Sequence, residues 1–228
     1  SILISWPNLI EDAVLFDVLS FKKSIKLSDK ALVQVINAYC SLLVVYTIAI
    51  DNIYNEIKSL KTLYLDINYD IYESKIIWKI PVCYDDYFAT DLENISNKKN
   101  IEKDKIIELH YKNTYRVCFL GFLPGFLYLS NLNKRLYFPR KVQPDLNIIK
   151  GSVGIGGNQT GVYPSNSPGG WNIIGNSPID FINKENLHKI SFASPGDSIN
   201  FYPIDIKEHN YISNNLDSYI IESEVSND

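Results

Sequence analysis

Methionine is absent from this 228-residue chain, and glycine (11), proline (10), cysteine (3) and histidine (3) are all scarce. Each shortage excludes something. Cys40, Cys83 and Cys118 are widely spaced, odd in number and set among apolar neighbours, as buried thiols are, so no disulfide framework is expected. No C-x-x-C pair occurs, and His110, His188 and His209 stand at no ligand spacing, which argues against a metal site. Unpaired thiols point to a reducing, cytoplasmic compartment. The longest apolar run, Leu42 to Ile50 with Thr47 inside it, falls far short of the ~20 residues that span a membrane. No basic segment precedes an apolar one at the N-terminus, so no secretory signal is visible, and the missing initiator methionine reads as a trimmed start at Ser1. A basic excess is lacking too. With 22 Lys plus Arg against 26 Asp plus Glu the formal charge is −4, which excludes a dedicated nucleic-acid binder.

What is present is an ordinary globular composition, 46% hydrophobic and 21% charged, enough for one large domain or two modest ones. The excess of Ile, Asn and Tyr reads as codon drift rather than as a ligand surface. Hydrophobic periodicity divides the chain. Over residues 1–80, Ile2–Ser5 reads as a strand and Pro7-Asn8 as the opening of a helix that runs to about Phe21. Ala31–Ala38 and Leu42–Ile48 read as two β-branched strands, and Ile53, Ile57, Leu60 and Tyr64 mark one helix face. Ile76–Val82 returns to strand. The order β-α-β-β-α-β predicts a ferredoxin-like α/β domain. After Pro81, short helices at Asp91–Ser96 and Ile101–His110 precede a series of short strands between Gly- and Pro-rich turns. The α+β chain is therefore expected to carry a β-barrel or sandwich domain over 81–206 and an acidic, fraying tail over 207–228.

Ten of the 11 glycines fall between Gly121 and Gly175. In a glycine-poor chain, that is where the backbone turns sharply or is closely approached. Gly151–Gly161 is not a Walker A loop, because no Lys follows its glycines, and it is not a dinucleotide fingerprint, because Gln159 stands where the third glycine belongs. No Gly-x-Ser-x-Gly elbow occurs. His110, beside Glu108 at a helix end, is a candidate general base or a complement to the helix dipole. Asp85, Asp86 and Asp91 are candidate acid–base carboxylates, or loop residues with a helix N-cap at Asp91.

Several of these segments together carry a resemblance: Gly121-Phe122-x-Pro124-Gly125-Phe126-x-Tyr128-Leu129, Pro139-Arg140, Gly151-Ser152-Val153, Gln159-Thr160-Gly161-x-Tyr163-Pro164, Ser167-Pro168-Gly169-Gly170-Trp171 and Pro195-Gly196-Asp197. The chain resembles the KipI/PxpB family, also labelled allophanate hydrolase subunit 1 or carboxyltransferase subdomain C/D, over about residues 30–205. The resemblance implies a small α/β domain followed by a cyclophilin-like β-barrel. It also implies a place as the B subunit of an ATP-dependent 5-oxoprolinase, acting with the A and C subunits on 5-oxo-L-proline. Other relatives inhibit a sensor histidine kinase or belong to urea carboxylase. ATP would be used through the complex, since this chain has no nucleotide loop, and neither metal, nucleic acid nor membrane is implied.

On that resemblance, the glycine-turn N–H groups with Gln159 and Thr160 are candidate oxyanion donors. Arg140 is the candidate for a carboxylate or an interface acid. His110 is the candidate base. Phe126, Tyr163, Ser167, Gly169, Gly170 and Trp171 are the expected substrate walls. Trp171 as barrel core and Arg140 as a structural ion pair stay open. Asp145, where relatives usually carry a second Arg, and Lys150, where they tend to have Ala, depart from the family pattern.

Overall fold

The computed structural model describes residues 1–28, 32–67, 76–183 and 190–225. It divides into two units, Ser1–Ser74 and Lys75–Asp228. In the first, strands β1 (Ile2–Ser5), β2 (Leu32–Asn37) and β3 (Ser41–Tyr46) form an antiparallel sheet in the order β1-β3-β2. Helix α1 (Asp12–Leu27) puts Val18, Phe21 and Ile25 onto it, and α2 (Ile53–Leu65) adds Leu60. Helix α1 starts later and ends later than the sequence pattern predicts. Pro7 forms a turn, its carbonyl accepting from Leu9 N–H, and the apolar stripe continues past Phe21 to Ile25 before Ser28 N–H closes onto Ser24. The Asn52 side chain caps α2 by accepting from Asn55 N–H. Ala31, where the sequence starts the second strand, lies outside the described residues.

The expected fourth strand of this sheet goes elsewhere. Strand β4 (Ile76–Cys83) runs parallel to β12 (Ser198–Ile204) in the second unit, with Pro81 inside it rather than at a boundary. A ferredoxin-like sheet built with Ile76–Val82 is thereby corrected: local periodicity identifies a strand but not its partner, and this one finds its partner over 100 residues away.

The second unit holds α3 (Leu92–Lys99), α4 (Lys103–Tyr111), β5 (Thr114–Leu120), β6 (Leu127–Ser130), β7 (Asp145–Ile148), β8 (Ser152–Gly156), β9 (Gln159–Val162), β10 (Ser167–Gly169) and β11 (Asn172–Asn176). The strands close in the circuit β11-β8-β9-β6-β5-β12-β4 and back to β11 through Asn176 opposite Cys83. Gly175 permits the closure, because a Cβ there would stand 2.8 Å from the Cys83 carbonyl. The result is a closed seven-strand barrel, consistent with the cyclophilin-like expectation. Its interior is filled by Ile80, Val82, Tyr115, Val117, Leu129, Ile155, Val162 and Ile199, none more than 1% exposed. Each such side chain contributes about 1.5–3 kcal/mol by leaving water.

The expected fraying tail is instead structured through residue 225. Asp205 caps α5 (Ile206–Asn214) by accepting from Glu208 N–H, α5 buries His209 and Ile212, and β13 (Ser223–Val225) pairs with β4. Glu208 lies on the exposed side of α5, and Asp217, Glu222 and Glu224 are exposed beyond it.

Candidate functional site

Side chains on a strand point alternately to its two faces, and that alternation sorts the glycine-rich hairpin. Val153, Ile155, Thr160 and Val162 belong to the barrel interior, whereas Gly154, Gly156 and Gly161 face Trp171 on the outside. A Cβ at Gly156 would lie 2.5 Å from Trp171 Cδ1, and one at Gly161 would lie 3.1 Å from Trp171 Cζ3 and 2.5 Å from the Leu127 carbonyl. The glycines make a smooth seat for an indole. Of the expected oxyanion donors, the Gly151 and Gly157 N–H groups donate to the Tyr163 and Phe138 carbonyls.

Around that indole a second apolar cluster forms, of Phe126, Ile148, Tyr163, Trp171 and Ile173. Phe126 meets Trp171 edge-on at 5.4 Å and Tyr163 at 5.2 Å, and Tyr128 meets Trp171 at 5.8 Å. Edge-to-face pairs add about 0.5–1.5 kcal/mol beyond burial and fix ring orientation. These rings, with Phe122, Pro144, Pro168, Gly169 and Gly170, line a cleft of ≈ 400 Å³ that also receives Arg140 and Lys141. Burial pushes the Tyr163 phenol up to about 12, against the opposing effect of a hydrogen bond to the Trp171 backbone, so it stays protonated.

The two adjacent cations of the cleft differ in their partners. Lys141 Nζ lies 2.6 Å from Asp91 Oδ2 and 2.5 Å from Asp145 Oδ2. Burial disfavours its charge, but the two carboxylates outweigh that and raise its pKa. Arg140 is exposed, its guanidinium 5.7 Å over the Trp171 ring and its Nη2 3.5 Å from Gln159 Oε1. Among the described residues no carboxylate pairs with it.

The structure thus gathers Arg140, Tyr163, Gly169, Gly170, Trp171 and Phe126 in one cleft, with Gln159 touching Arg140 at its edge. Ser167 opens β10 opposite Ile148, outside the cleft lining, and its Oγ has no hydrogen-bond partner among the described residues. His110 and Thr160 are corrected more sharply. Both are fully buried. His110 Nδ1 lies 2.8 Å from Tyr84 Oη, its Nε2 lies 3.1 Å from Thr160 Oγ1, and its ring stacks on Phe201 at 4.9 Å. Because Thr160 donates to the Gly154 carbonyl at 2.9 Å, its oxygen is the acceptor for His110, which fixes the Nε2–H tautomer and makes Tyr84 the donor to Nδ1. Burial lowers the His110 pKa to about 3. A neutral imidazole with both nitrogens bonded inside the barrel neither complements a helix dipole nor reaches a ligand in the cleft.

Asp91 does not cap α3 with its side chain. Its carboxylate accepts from Ile173 N–H at 2.7 Å and holds Lys141. Asp85 accepts from Tyr87 N–H, and Asp86 pairs with Lys103, so the three carboxylates form no acid–base pair. Lys150, a candidate stand-in for the missing arginine, is in an ion pair with Asp180. Tyr128 and Lys141 are cleft residues that the sequence did not single out. The two-residue spacing of Phe126 and Tyr128 was the available signal for the first, and Lys141 had none beyond adjacency to Arg140. Among the described residues no His/Cys/Asp/Glu group could hold a metal ion, and no helix is long and apolar enough to cross a membrane.

The chain belongs to the family described as carboxyltransferase domain, subdomain C and D, whose model matches residues 1–192. It is similar to the 5-oxoprolinase B subunit of Bacillus subtilis (strain 168), 40% identical over 145 residues, covering 63% of this chain and 60% of that one. It is also similar to the 5-oxoprolinase B subunit of Escherichia coli O157:H7, 42% identical over 131 residues, covering 58% and 59%. The matched region spans about three fifths of the length of these relatives. The crystal structure of the K. lactis urea amidolyase matches with a TM-score of 0.80 and 19% identity, over 98% of this chain and 16% of that one, a likeness of fold alone.

Proposed function

We propose that this chain is the B subunit of an ATP-dependent 5-oxoprolinase, which with the A and C subunits converts 5-oxo-L-proline, ATP and two waters to L-glutamate, ADP and phosphate. The chain contributes to a shared substrate site and is inactive alone. The observation that carries this is the state of Arg140: the one cleft cation without a carboxylate partner among the described residues, facing an aromatic wall. 5-Oxoproline is a small flat lactam bearing a single carboxylate. Its carboxylate is suited to pair bidentately with Arg140, and its ring to lie against Trp171 and Tyr128. The kinship with two 5-oxoprolinase B subunits supports the same substrate.

The lactam is a stable amide. Opening it requires water to add at the carbonyl carbon, the C–N bond to break and a proton to reach nitrogen, and coupling to ATP hydrolysis drives this forward. This chain's part is to bind and orient the lactam and to exclude bulk water from its ring face. With no nucleotide loop here, ATP is assigned to a partner in the complex.

The test is reconstitution. The chain is mixed with the A and C subunits, ATP and 5-oxoproline, and glutamate is measured. Glutamate formation that depends on this chain is expected, and its absence from a well-formed complex defeats the proposal. A complex that forms, makes no glutamate and instead suppresses autophosphorylation of a sensor histidine kinase would favour the regulatory alternative.

A further inference from the structure

In a chain of net charge −4, residues 109–179 carry a single carboxylate, Asp145, against Lys112, Arg116, Lys134, Arg135, Arg140, Lys141 and Lys150. The structure shows which of these are spent internally. Lys112 pairs with Glu108, Lys141 with Asp91 and Asp145, and Lys150 with Asp180, while Arg116 donates to the Gly196 carbonyl and Ser198 Oγ. Lys134, Arg135 and Arg140 remain. All three are exposed, and among the described residues none has a carboxylate partner. Lys98, at the end of α3, joins them by lying 5.8 Å from the Phe138 ring centroid.

Phe138 fixes the geometry of the strip. It is pinned to the β8–β9 turn by paired backbone hydrogen bonds with Gly157, 2.9 and 2.7 Å, three residues after Arg135 and two before Arg140. Lys134, Arg135 and Arg140 therefore follow one segment that ends at the cleft, and Lys98 reaches that segment from α3. Apolar side chains lie exposed along the same segment: Tyr137 at 39% and, just past Arg140, Val142 at 99%. Arginine and tyrosine beside exposed apolar surface is the composition of a protein interface centre. Like charges without carboxylate partners, close together along one exposed segment, are retained at an electrostatic cost that an acidic partner removes.

We infer that Lys98, Lys134, Arg135, Tyr137 and Val142 form the docking surface for a carboxylate-rich face of another member of the 5-oxoprolinase assembly, which on docking closes the cleft over Arg140. This rests on the function proposed above, which supplies the multi-subunit assembly. Charge complementarity selects a protein of opposite sign, and the exposed apolar side chains select one that buries area rather than a free anion.

The experiment measures association of the full chain with the A and C subunits, without ATP or 5-oxoproline, by surface plasmon resonance at low and high salt. Wild type is expected to associate faster at low salt, by about 10-fold or more. The Lys134→Glu/Arg135→Glu double variant is expected to lose most of that rate advantage and at least 10-fold in affinity, and Lys134→Gln/Arg135→Gln to fall between. Lys207→Glu, on α5, is expected to bind as wild type. Equal binding by the double-reversal variant and wild type overturns the inference, as does equal loss in the Lys207 control, absence of any complex, or inorganic phosphate binding to the strip while neither partner does. Because binding is read without substrate, a complex lost on charge reversal but devoid of oxoprolinase activity in wild type overturns the proposed function and leaves the docking surface standing.

Discussion

Gly156 lies against the indole of Trp171 so closely that a Cβ on it would stand 2.5 Å from Cδ1 and 2.7 Å from Cε2. The contact is between a ring held by aromatic neighbours and a strand backbone, so neither partner can yield cheaply. Gly156→Ala is expected to displace Trp171, lower stability by about 1–3 kcal/mol and disorganise the cleft. Gly157, next in sequence, has φ +68° but open space around it, so Gly157→Ala is expected to cost only about 1 kcal/mol, as backbone strain. Thermal melts of the two variants, with tryptophan emission as a second readout, check the order.

Arg140 and Lys141 are expected to respond oppositely to removal. Arg140→Ala removes an exposed side chain that packs on Trp171 and Gln159, so the melting temperature should barely change. Turnover by the reconstituted complex should fall about 10–100-fold, the value of a charged hydrogen bond. Lys141→Met should instead destabilise the chain, because it leaves Asp91 beside a neutral side chain. Steady-state kinetics and calorimetry on the same pair of variants separate binding from structure.

The two carboxylates around Lys141 are unequal. Asp91 is 15% exposed at its side chain and also accepts from Ile173 N–H, tying the start of α3 to β11, whereas Asp145 is 48% exposed. Asp91→Ala is expected to cost about 2–4 kcal/mol as a broken, largely buried pair with an orphaned amide. Asp145→Ala should cost less than about 1 kcal/mol as a solvent-screened one. Denaturant titrations of both variants test the difference.

His110 gives a pH signature. Its pKa is lowered by burial to about 3 in the folded chain, from an ordinary value near 6.5. Between those values the unfolded chain binds more protons than the folded one, so stability rises with pH across that window. The contribution is complete above about pH 6.5 and is lost as pH falls toward 3. His209, also lowered by burial, acts in the same direction. His110→Asn is expected to flatten part of this dependence. It should also destabilise the chain at neutral pH by about 1–3 kcal/mol, because Tyr84 and Thr160 lose a partner. Melting temperatures of both proteins across the acid-to-neutral range provide the check, and an unchanged slope would remove His110 as the titrating group.

Much of the fold was legible in local pattern. The strands and helices of the first unit, the short helices near 92–111 and the change to short strands beyond Thr114 all follow from periods of 2 and 3.6 residues and from turn chemistry. The destination of Ile76–Cys83 was not legible, because a strand's pattern records that it is buried and not against what. Much of the cleft was legible too, since Arg140, Tyr163, Gly169, Gly170 and Trp171 fell in the motif segments. Gln159 and Thr160 looked equivalent as neighbours, yet one reaches Arg140 and the other His110.

By itself the sequence determined the family, the absence of a nucleotide loop in this chain and the concentration of glycine between 121 and 175. These depend on which residues occur in which order. Tertiary structure alone decided what the glycines are for and which polar groups are available to a ligand. Strand alternation sends Thr160 into the barrel and Gln159 out of it, closure of the barrel leaves His110 neutral and enclosed, and Asp91 and Asp145 neutralise Lys141 while Arg140 stays without a carboxylate among the described residues. Availability depends on what lies across space from a residue, and sequence adjacency carries no record of that.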